Sequence, residues 1–234
     1  MNTELLTEFE EVIGYEFKDK SLLQKALTHS SYANEQRLPA HSDNERLEFL
    51  GDAVLELVSS EFLYLNYSNL PEGELTKLRA SLVCEPTLAM AAEELSLGKY
   101  LRLSHGEDKT GGRKRKSVLS DALEAVIGAL FLDGGIEKSK KLIFAHILTD
   151  IEHKQLFNDS KTRLQEIVQG SFGDRLSYVV THEEGPDHAK QFSVEARIGS
   201  RVIGRGIGGS KKAAEQEAAY RGILYLRQKP PTGE

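Results

Sequence analysis

The spacing of apolar residues changes once along this chain, close to residue 152. Before that point apolar residues recur every three or four positions, as in "SVLSDALEAVIGALFL" (117–132), which is typical of amphipathic helices. After it, "KQFSVEARIG" (190–199) alternates apolar and polar residues, with its apolar side chains on one face, as expected of a half-buried strand. The sequence therefore predicts two domains of different structural class.

The predicted first domain, residues 1–152, is helical almost throughout. The predicted second domain, residues 159–228, has the order α-β-β-β-α, and Ser210 is the candidate N-cap of its last helix. The polar stretch 153–160 is interpreted as a linker between them. A chain of 234 residues is long enough for two domains with separate cores. The predicted fold class is a multidomain protein that combines α with α+β.

The net charge is −6, but it is unevenly distributed. Residues 1–158 hold 18 Lys and Arg against 26 Asp and Glu, whereas residues 159–234 hold 12 against 10. Cys84 is the only cysteine, which excludes an intrachain disulfide and suits a reducing compartment such as the cytoplasm. The first residues, "MNTELLTEFEEV", lack the apolar stretch of a signal peptide. No apolar run reaches ~18 residues, so no membrane association is expected.

Three carboxylates interrupt the apolar run "NERLEFLGDAVL" (44–55). On a helix, with 100° between residues, Glu45, Glu48 and Asp52 fall within an arc of about 60°. Charged side chains are rarely buried without a partner. The apolar context of this helix therefore raises the question of what these acids face.

A second pair of acidic residues also lies within an apolar run. Asp121 and Glu124, in "SDALEAVIGAL", are three residues apart and so lie on one side of a helix. One interpretation is a solvated stripe on each helix. The other is a site for a divalent cation, which would relieve the repulsion. Oxygen ligands without Cys or His favour Mg²⁺ or Mn²⁺ over Zn²⁺. The pattern alone leaves both interpretations open.

Several motifs in this order resemble the ribonuclease III family. In the first domain they are "ALTHSSY" (26–32), "NERLEFLGDAVL", "EGELTKLRASLV" (72–83) and "SDALEAVIGALFLDGG" (120–135). The second domain resembles a double-stranded-RNA-binding domain through "KTRLQE", "GPDHAKQF" and "SKKAAEQEAA". The resemblance covers essentially the whole chain.

This resemblance implies an all-helical nuclease domain followed by a small RNA-binding domain. It further implies a homodimer that cleaves double-stranded RNA with Mg²⁺, or with Mn²⁺ as a substitute, at one active site per subunit. The implied products carry 5′-phosphates, 3′-hydroxyls and short 3′ overhangs. The implied roles are ribosomal RNA processing and messenger RNA turnover.

The resemblance also assigns individual residues. The implied catalytic residues are Asp52, Glu124 and Glu45, with Glu72 as a further acid near the cleavage site. The implied metal ligands are Glu48, Asp52, Asp121 and Glu124. Phe49 matches an aromatic residue at the family's dimer interface, and Gly51 beside it fits a close approach of helices there. The implied RNA contacts are Thr162, Gln165, Glu166, Gln169, His188, Ser210, Lys211 and Lys212.

Three questions remain open at the level of sequence. The basic loop "KTGGRKRK" (109–116) either grips phosphates near the cut or is exposed and mobile. A regulator that binds double-stranded RNA without cutting it is the main alternative function. A helical interaction scaffold is a second alternative, although it leaves the mixed second domain unexplained.

Overall fold

The computed structural model describes residues 3–171, 175–185 and 190–228, and the chain divides into two compact units, Met1–Ile151 and Glu152–Glu234. Each unit has its own cluster of buried apolar side chains. The predicted fold class is confirmed, because a helical unit precedes a unit that contains a three-stranded sheet. Among the described residues, no helix is long and apolar enough to cross a membrane.

The first unit is built from helices and two short 3₁₀ turns, and its only described β-type pairing is an isolated bridge between Thr28 and Arg102. The helices are α1 (Thr3–Ile13), α2 (Lys20–Ala26), α3 (Ser30–Glu35), α4 (Glu45–Asn66), α5 (Glu72–Leu82), α6 (Glu85–Glu94), α7 (His105–Lys109), α8 (Lys116–Gly134) and α9 (Ile136–His146). The 3₁₀ turns span Leu97–Tyr100 and Gly112–Lys114.

Helix α8 is the central element of this unit. Most of its side chains are buried, including Leu123, Ile127 and Leu130, so it is surrounded by other helices. Its main partner is α4, and two glycines make their contact very close. A Cβ on Gly51 would lie 1.8 Å from the carbonyl oxygen of Glu124, and one on Gly128 would lie 2.3 Å from that of Leu47. The backbones of α4 and α8 therefore touch, and side chains beside the contact must converge.

Helix α10 (Ile151–Asn158) begins at the last residue of the first unit, and its other residues belong to the second unit. The second unit also contains α11 (Ser160–Ser171), β1 (Leu176–Glu184), β2 (Gln191–Ile198), β3 (Arg201–Gly208) and α12 (Lys211–Gln228). The strands form an antiparallel sheet in the order β1-β2-β3. The alternating face predicted for β2 is confirmed, and its buried members are Phe192, Val194, Ala196 and Ile198.

Glycines explain how α12 packs on β3. A Cβ on Gly204 would lie 2.1 Å from the carbonyl oxygen of Ala218, and one on Gly206 would lie 2.2 Å from that of Ala214. Only a glycine-rich strand allows the helix backbone to lie this close to the sheet. The glycines of "RVIGRGIGG" therefore permit helix packing and do not interrupt the strand.

The structure differs from the sequence interpretation at the presumed linker. Residues 153–160 are not an irregular linker, because most of them belong to α10. The helix packs on the second unit: the Phe157 ring lies 5.3 Å from that of Tyr220, and the Gln216 side chain donates a hydrogen bond of 2.7 Å to the Phe157 carbonyl. Polar composition suggested a linker, but the few apolar residues of this stretch are enough to anchor it.

Candidate active site and RNA-binding surface

The first turns of α4 carry the acids of the "NERLEFLGDAVL" motif. The helix begins after Asn44, whose backbone N–H donates to the Thr28 carbonyl at 2.8 Å. Glu45 is exposed, Glu48 is half-buried and Asp52 is exposed one turn later. The acids therefore lie along one side of α4 at different depths, and only Glu48 points well into the contact with α8.

Three carboxylates from the two helices converge beside the glycine contact. Oxygens of Glu48, Asp121 and Glu124 all lie within 4.8 Å of one another. Gly51 lies three residues after Glu48, and Gly128 lies four residues after Glu124. The close crossing of the helix backbones is therefore the local cause of this convergence.

The electrostatics of the cluster reflect this crowding. Burial, together with the charges of Asp52, Glu48 and Asp121, raises the pKa of Glu124 to about 8. Burial and the charges of Asp121, Glu45 and Asp52 also raise the pKa of Glu48. Burial raises the pKa of Asp121, although a hydrogen bond from Ser120 and the charge of His29 oppose that effect. The folded chain thus holds together acids that repel one another.

The cluster lacks a paired lysine or arginine within the described part of the chain, although the charge of His29 acts on Asp121. No Lys or Arg there forms an ion pair with Glu48, Asp121 or Glu124. Hard divalent cations prefer several oxygen ligands, and carboxylates supply them. The three carboxylates therefore fit a divalent cation by donor type, by their mutual distance and by their crowded negative charge.

The other predicted acids occupy different positions. Asp52 lies outside the group of three carboxylates, yet its charge raises the pKa of Glu124, so the two acids face the same space. The charge of Glu45 acts on Glu48 in the same way. Glu72 is exposed in the first turn of α5, accepts a hydrogen bond from Thr76 and lies outside the cluster.

Sequence reasoning missed Gly128 and misplaced Gly51. Gly51 was associated with the approach of a partner subunit, but it contacts α8 of its own chain. A helix-internal glycine costs about 1 kcal/mol relative to alanine, which signals a packing requirement. The same signal was available for Gly128, four residues after Glu124, and the two glycines together could have indicated the crossing.

Phe49 lies on the outer side of α4 with 80% of its side-chain surface exposed, which excludes packing in the core of its own chain. Ala53, Leu57 and Tyr64 are also exposed, and with Phe49 they span about 80° of the helix. Large exposed apolar residues in one stripe are typical of an interaction surface.

In the second unit, the predicted RNA contacts of α11 share one face. Thr162, Gln165, Glu166 and Gln169 are all exposed, whereas the opposite side of α11 is buried in the core. Glu166 lies 3.3 Å from the Arg163 guanidinium. The predicted contact His188 lies outside the described residues.

The start of α12 carries the remaining predicted contacts. The Ser210 side chain accepts a hydrogen bond of 3.2 Å from the Ala213 backbone N–H, which confirms its predicted role as an N-cap. Lys211 and Lys212 are exposed in the first turn, and the Lys211 ammonium lies 5.6 Å from the centre of the Phe192 ring. A helix N-terminus with two lysines attracts anions.

The basic loop is more ordered than the sequence suggested. Segment 103–116 contains α7 and a 3₁₀ turn, and two of its arginines bind within the protein. Arg113 pairs with Asp108 at 2.8 Å and donates to the Leu101 carbonyl at 2.7 Å, and Arg115 pairs with Glu107. These two arginines form contacts within the protein, and phosphate contact by this loop stays a prediction.

Two family models match the chain. The model "Ribonuclease-III-like" matches residues 19–151, and the model "Double-stranded RNA binding motif" matches residues 160–226. Together these matches span most of both compact units.

Curated relatives match over nearly the whole length. "Ribonuclease 3" of Natranaerobius thermophilus is 53% identical over 217 residues, which cover 92% of this chain and 94% of the relative. "Ribonuclease 3" of Caldanaerobacter subterraneus is 49% identical over 225 residues, which cover 95% and 98%.

A solved structure matches the first unit. It is the nuclease domain of ribonuclease III from Campylobacter jejuni, which is 46% identical, covers 62% of this chain and 96% of that one, and has a TM-score of 0.56. That nuclease domain has a region involved in dimer formation.

Proposed function

This chain belongs to the ribonuclease III family and is an endoribonuclease specific for double-stranded RNA, and we propose that it uses Mg²⁺, with Mn²⁺ as a substitute, to hydrolyse the phosphodiester backbone. The observation that carries the metal proposal is the convergence of Glu48, Asp121 and Glu124 within 4.8 Å, where no Lys or Arg of the described residues pairs with them. Asp52 is the fourth proposed ligand, since its charge reaches Glu124.

The chain's own residues have distinct roles in the proposed mechanism. When a hard divalent cation is bound, it stabilises charge on the scissile phosphate and makes an attacking water more acidic. Glu48, Asp121 and Glu124 would hold the cation, and Glu124 would do so as the carboxylate, after losing its proton. Asp52 and Glu124 are the proposed catalytic residues, and Glu45 lines the entrance because it is exposed beside Glu48. In the hydrolysis, the water loses a proton as its oxygen bonds to phosphorus, and the 3′ oxygen takes up a proton as its bond to phosphorus breaks. Cleavage of that bond leaves 5′-phosphate and 3′-hydroxyl ends.

The proposed assembly is a homodimer formed through the exposed face of α4. The exposure of Phe49, together with Ala53 and Leu57 beside it, supports this surface. One active site in each of two subunits would cut the two strands separately and leave short 3′ overhangs. Phe49→Asp is expected to give monomers in sedimentation, whereas Val12→Asp, at an exposed apolar position on α1, is expected to leave dimers intact.

The proposed division of labour assigns cleavage to residues 1–152 and duplex binding to residues 159–228. The two compact units and the ranges of the two family models support these bounds. Domains of this second type bind the shape, phosphates and 2′-hydroxyls of A-form RNA over ~16 bp. The exposed residues of α11 and the start of α12 are the proposed contacts. We further propose a cytoplasmic enzyme that acts in ribosomal RNA processing and messenger RNA turnover.

The test is a cleavage assay on a long RNA duplex with Mg²⁺, Mn²⁺, Ca²⁺ or a chelator. Cleavage in Mg²⁺ and Mn²⁺ but not in chelator is expected, and the ends should be 5′-phosphates. Binding without cleavage under every metal condition would favour the alternative of a regulator that does not cut. A single-stranded RNA of the same sequence is the control for duplex specificity.

A further inference from the structure

A surface pocket in the nuclease unit carries basic side chains that the proposed mechanism does not use. It has a volume of about 390 Å³ and lies between the end of α2 and the segment that precedes α4. Its polar lining includes Gln24, Lys25, Thr28, His41, Ser42 and Arg102. Among the residues that the structure describes, no Asp or Glu lines it, although residues 1–158 carry 26 acids against 18 basic residues.

Arg102 is held rigidly at the back of this pocket. Its backbone N–H donates to the Leu27 carbonyl at 2.8 Å, and its guanidinium donates to the Thr28 hydroxyl at 3.2 Å. The guanidinium also stacks 4.3 Å from the centre of the Tyr32 ring. A guanidinium has five N–H donors, and these contacts use few of them. Arg102 is thus fixed in place, and several of its guanidinium N–H groups remain available to a ligand.

Neither cation of the pocket has an acidic partner among the residues that the structure describes. Lys25 lies in the last turn of α2, where a positive charge is favourable near the helix C-terminus. The interaction with the helix C-terminus accounts for the positive charge of Lys25, but it does not account for that of Arg102. The last carbonyls of α2 are also already bonded, since Thr28 donates from its backbone to Lys25 and from its hydroxyl to Gln24. The two positive charges therefore remain available to an external anion.

Two adjacent residues join the pocket to the surroundings of the acidic cluster. The carbonyl of Thr28, which lines the pocket, accepts the hydrogen bond of Asn44, the residue immediately before Glu45 and α4. His29, the residue after Thr28, is close enough to the cluster for its charge to lower the pKa of Asp121. The segment from Thr28 to His29 therefore runs from the pocket to the neighbourhood of the cluster.

We propose that this pocket binds a backbone phosphate of the double-stranded RNA substrate, at a position beside the phosphate that is cut. Lys25 and Arg102 supply the positive charge, and the neighbouring hydroxyl and amide groups supply further hydrogen bonds. The inference rests on the proposed function, because it takes RNA to be the ligand of the nuclease unit. The pocket allows a domain with a net negative charge to bind a polyanion. It is a positioning site, separate from the residues that take part in catalysis.

The principal test compares full-length wild-type enzyme with Lys25→Gln and Lys25→Glu in duplex cleavage. Lys25→Gln is expected to raise KM roughly fivefold with kcat within about twofold, and Lys25→Glu is expected to raise KM further. In the Glu124→Gln background, which isolates binding, Lys25→Gln should lower the salt slope of duplex affinity by about 1. Lys141→Gln, at an exposed position on α9, is the charge-matched control and should change neither quantity. Unchanged KM and slope for both Lys25 variants would overturn the inference.

Two further measurements separate the other outcomes. Arg102→Gln should raise KM as Lys25→Gln does. The melting temperature of Arg102→Gln shows how much of that rise in KM results from lower stability. Inorganic phosphate at millimolar concentration distinguishes a site for small anions: if phosphate raises the melting temperature only when Lys25 is present and the RNA slope is unchanged, the RNA proposal is overturned. Failure of wild-type enzyme to cut any duplex would overturn the proposed function instead, and the salt slope would still report on the pocket.

Discussion

In the nuclease unit, Glu48 and Glu124 come from helices that are far apart in sequence, whereas in the RNA-binding unit Thr162, Gln165 and Gln169 lie on consecutive turns of one helix. Glu48, Asp121 and Glu124 in the first unit are partly buried and have raised pKa values. The candidate RNA contacts that the structure describes in the second unit are exposed. The carboxylate cluster is assembled by the packing of two helices, whereas the candidate RNA contacts lie on the surface of the second unit.

This difference follows from what each site must hold. Like charges repel, so a cluster of carboxylates forms only where a backbone contact enforces it, as Gly51 and Gly128 do here. A surface that binds a duplex needs no such enforcement, because its charges are separated and face water until the ligand arrives. Substitutions in the core should therefore strongly reduce cleavage. Each substitution on the RNA-binding surface should weaken duplex binding by a small amount, independently of the others.

The largest expected effect is that of Glu124→Gln on cleavage. Gln is nearly isosteric but carries no negative charge for the cation, so the cleavage rate should fall by roughly 10³-fold. Duplex binding, which depends mainly on the second unit, should survive. The measurement is single-turnover cleavage in Mg²⁺ together with binding of the same duplex.

The matched control is Glu56→Gln. Glu56 lies on α4 but pairs with Arg79 at 2.8 Å, away from the cluster. A partly exposed ion pair contributes about 0–1 kcal/mol, so stability should change little and cleavage should remain nearly intact. Full-rate cleavage by Glu124→Gln would falsify the role assigned to that residue.

Gly51→Ala tests the assembly of the nuclease site. The added Cβ would meet backbone, which cannot move aside as a flexible side chain can, so unfolding free energy should fall by about 3 kcal/mol or more. Cleavage should fall with it, because the acids separate. Gly73→Ala, at a helical glycine with open space around its Cβ, should change stability by less than about 1 kcal/mol. Equal melting temperatures for the two variants would contradict the role of the glycine contact.

The stability of the metal-free protein should depend on pH through Glu124. Its pKa is raised from 4.5 to about 8, so the folded state keeps a proton that the unfolded state releases in that window. Stability should therefore fall as pH rises from about 4.5 to 8. Glu124→Gln should remove this loss and be more stable than wild type by on the order of 2 kcal/mol at pH 9, with little difference at pH 5. Denaturant titrations of both proteins in chelator, at pH 5 and at pH 9, measure the two differences in stability. A stability difference that does not depend on pH would refute the raised pKa assigned to Glu124.

The smallest expected effect is that of Lys211→Ala in the RNA-binding unit. Loss of one phosphate contact should lower the salt slope of duplex affinity by roughly 1, and to the same extent for duplexes of different sequence. The loss of its contact with the Phe192 ring should cost little stability, since that interaction is exposed. Lys141→Ala on α9 is the control. If the slope did not change, the phosphate grip of this unit would lie on other residues.

Much of the second unit could be predicted from sequence because its signals are local. Alternation in "KQFSVEARIG" identified β2 and its buried face, and Ser210 identified the start of α12. The stretch 153–160 was misinterpreted as a linker because its polarity conceals the packing of Phe157 on Tyr220. Local patterns report what a segment can form, but they do not report which distant side chain it will meet.

The sequence by itself determined the helical class of the first unit, the α-β-β-β-α order of the second, and the helix face on which each set of acids lies. Helical and strand periodicities determine those features, because each follows from the geometry of a single element. Only the tertiary structure decided that Glu48, Asp121 and Glu124 share one space, that Asp52 stands slightly apart, and that Lys25 and Arg102 share a pocket. The reason is that the crossing of α4 and α8, and the pairing of Thr28 with Arg102, depend on contacts between residues more than 70 positions apart in sequence.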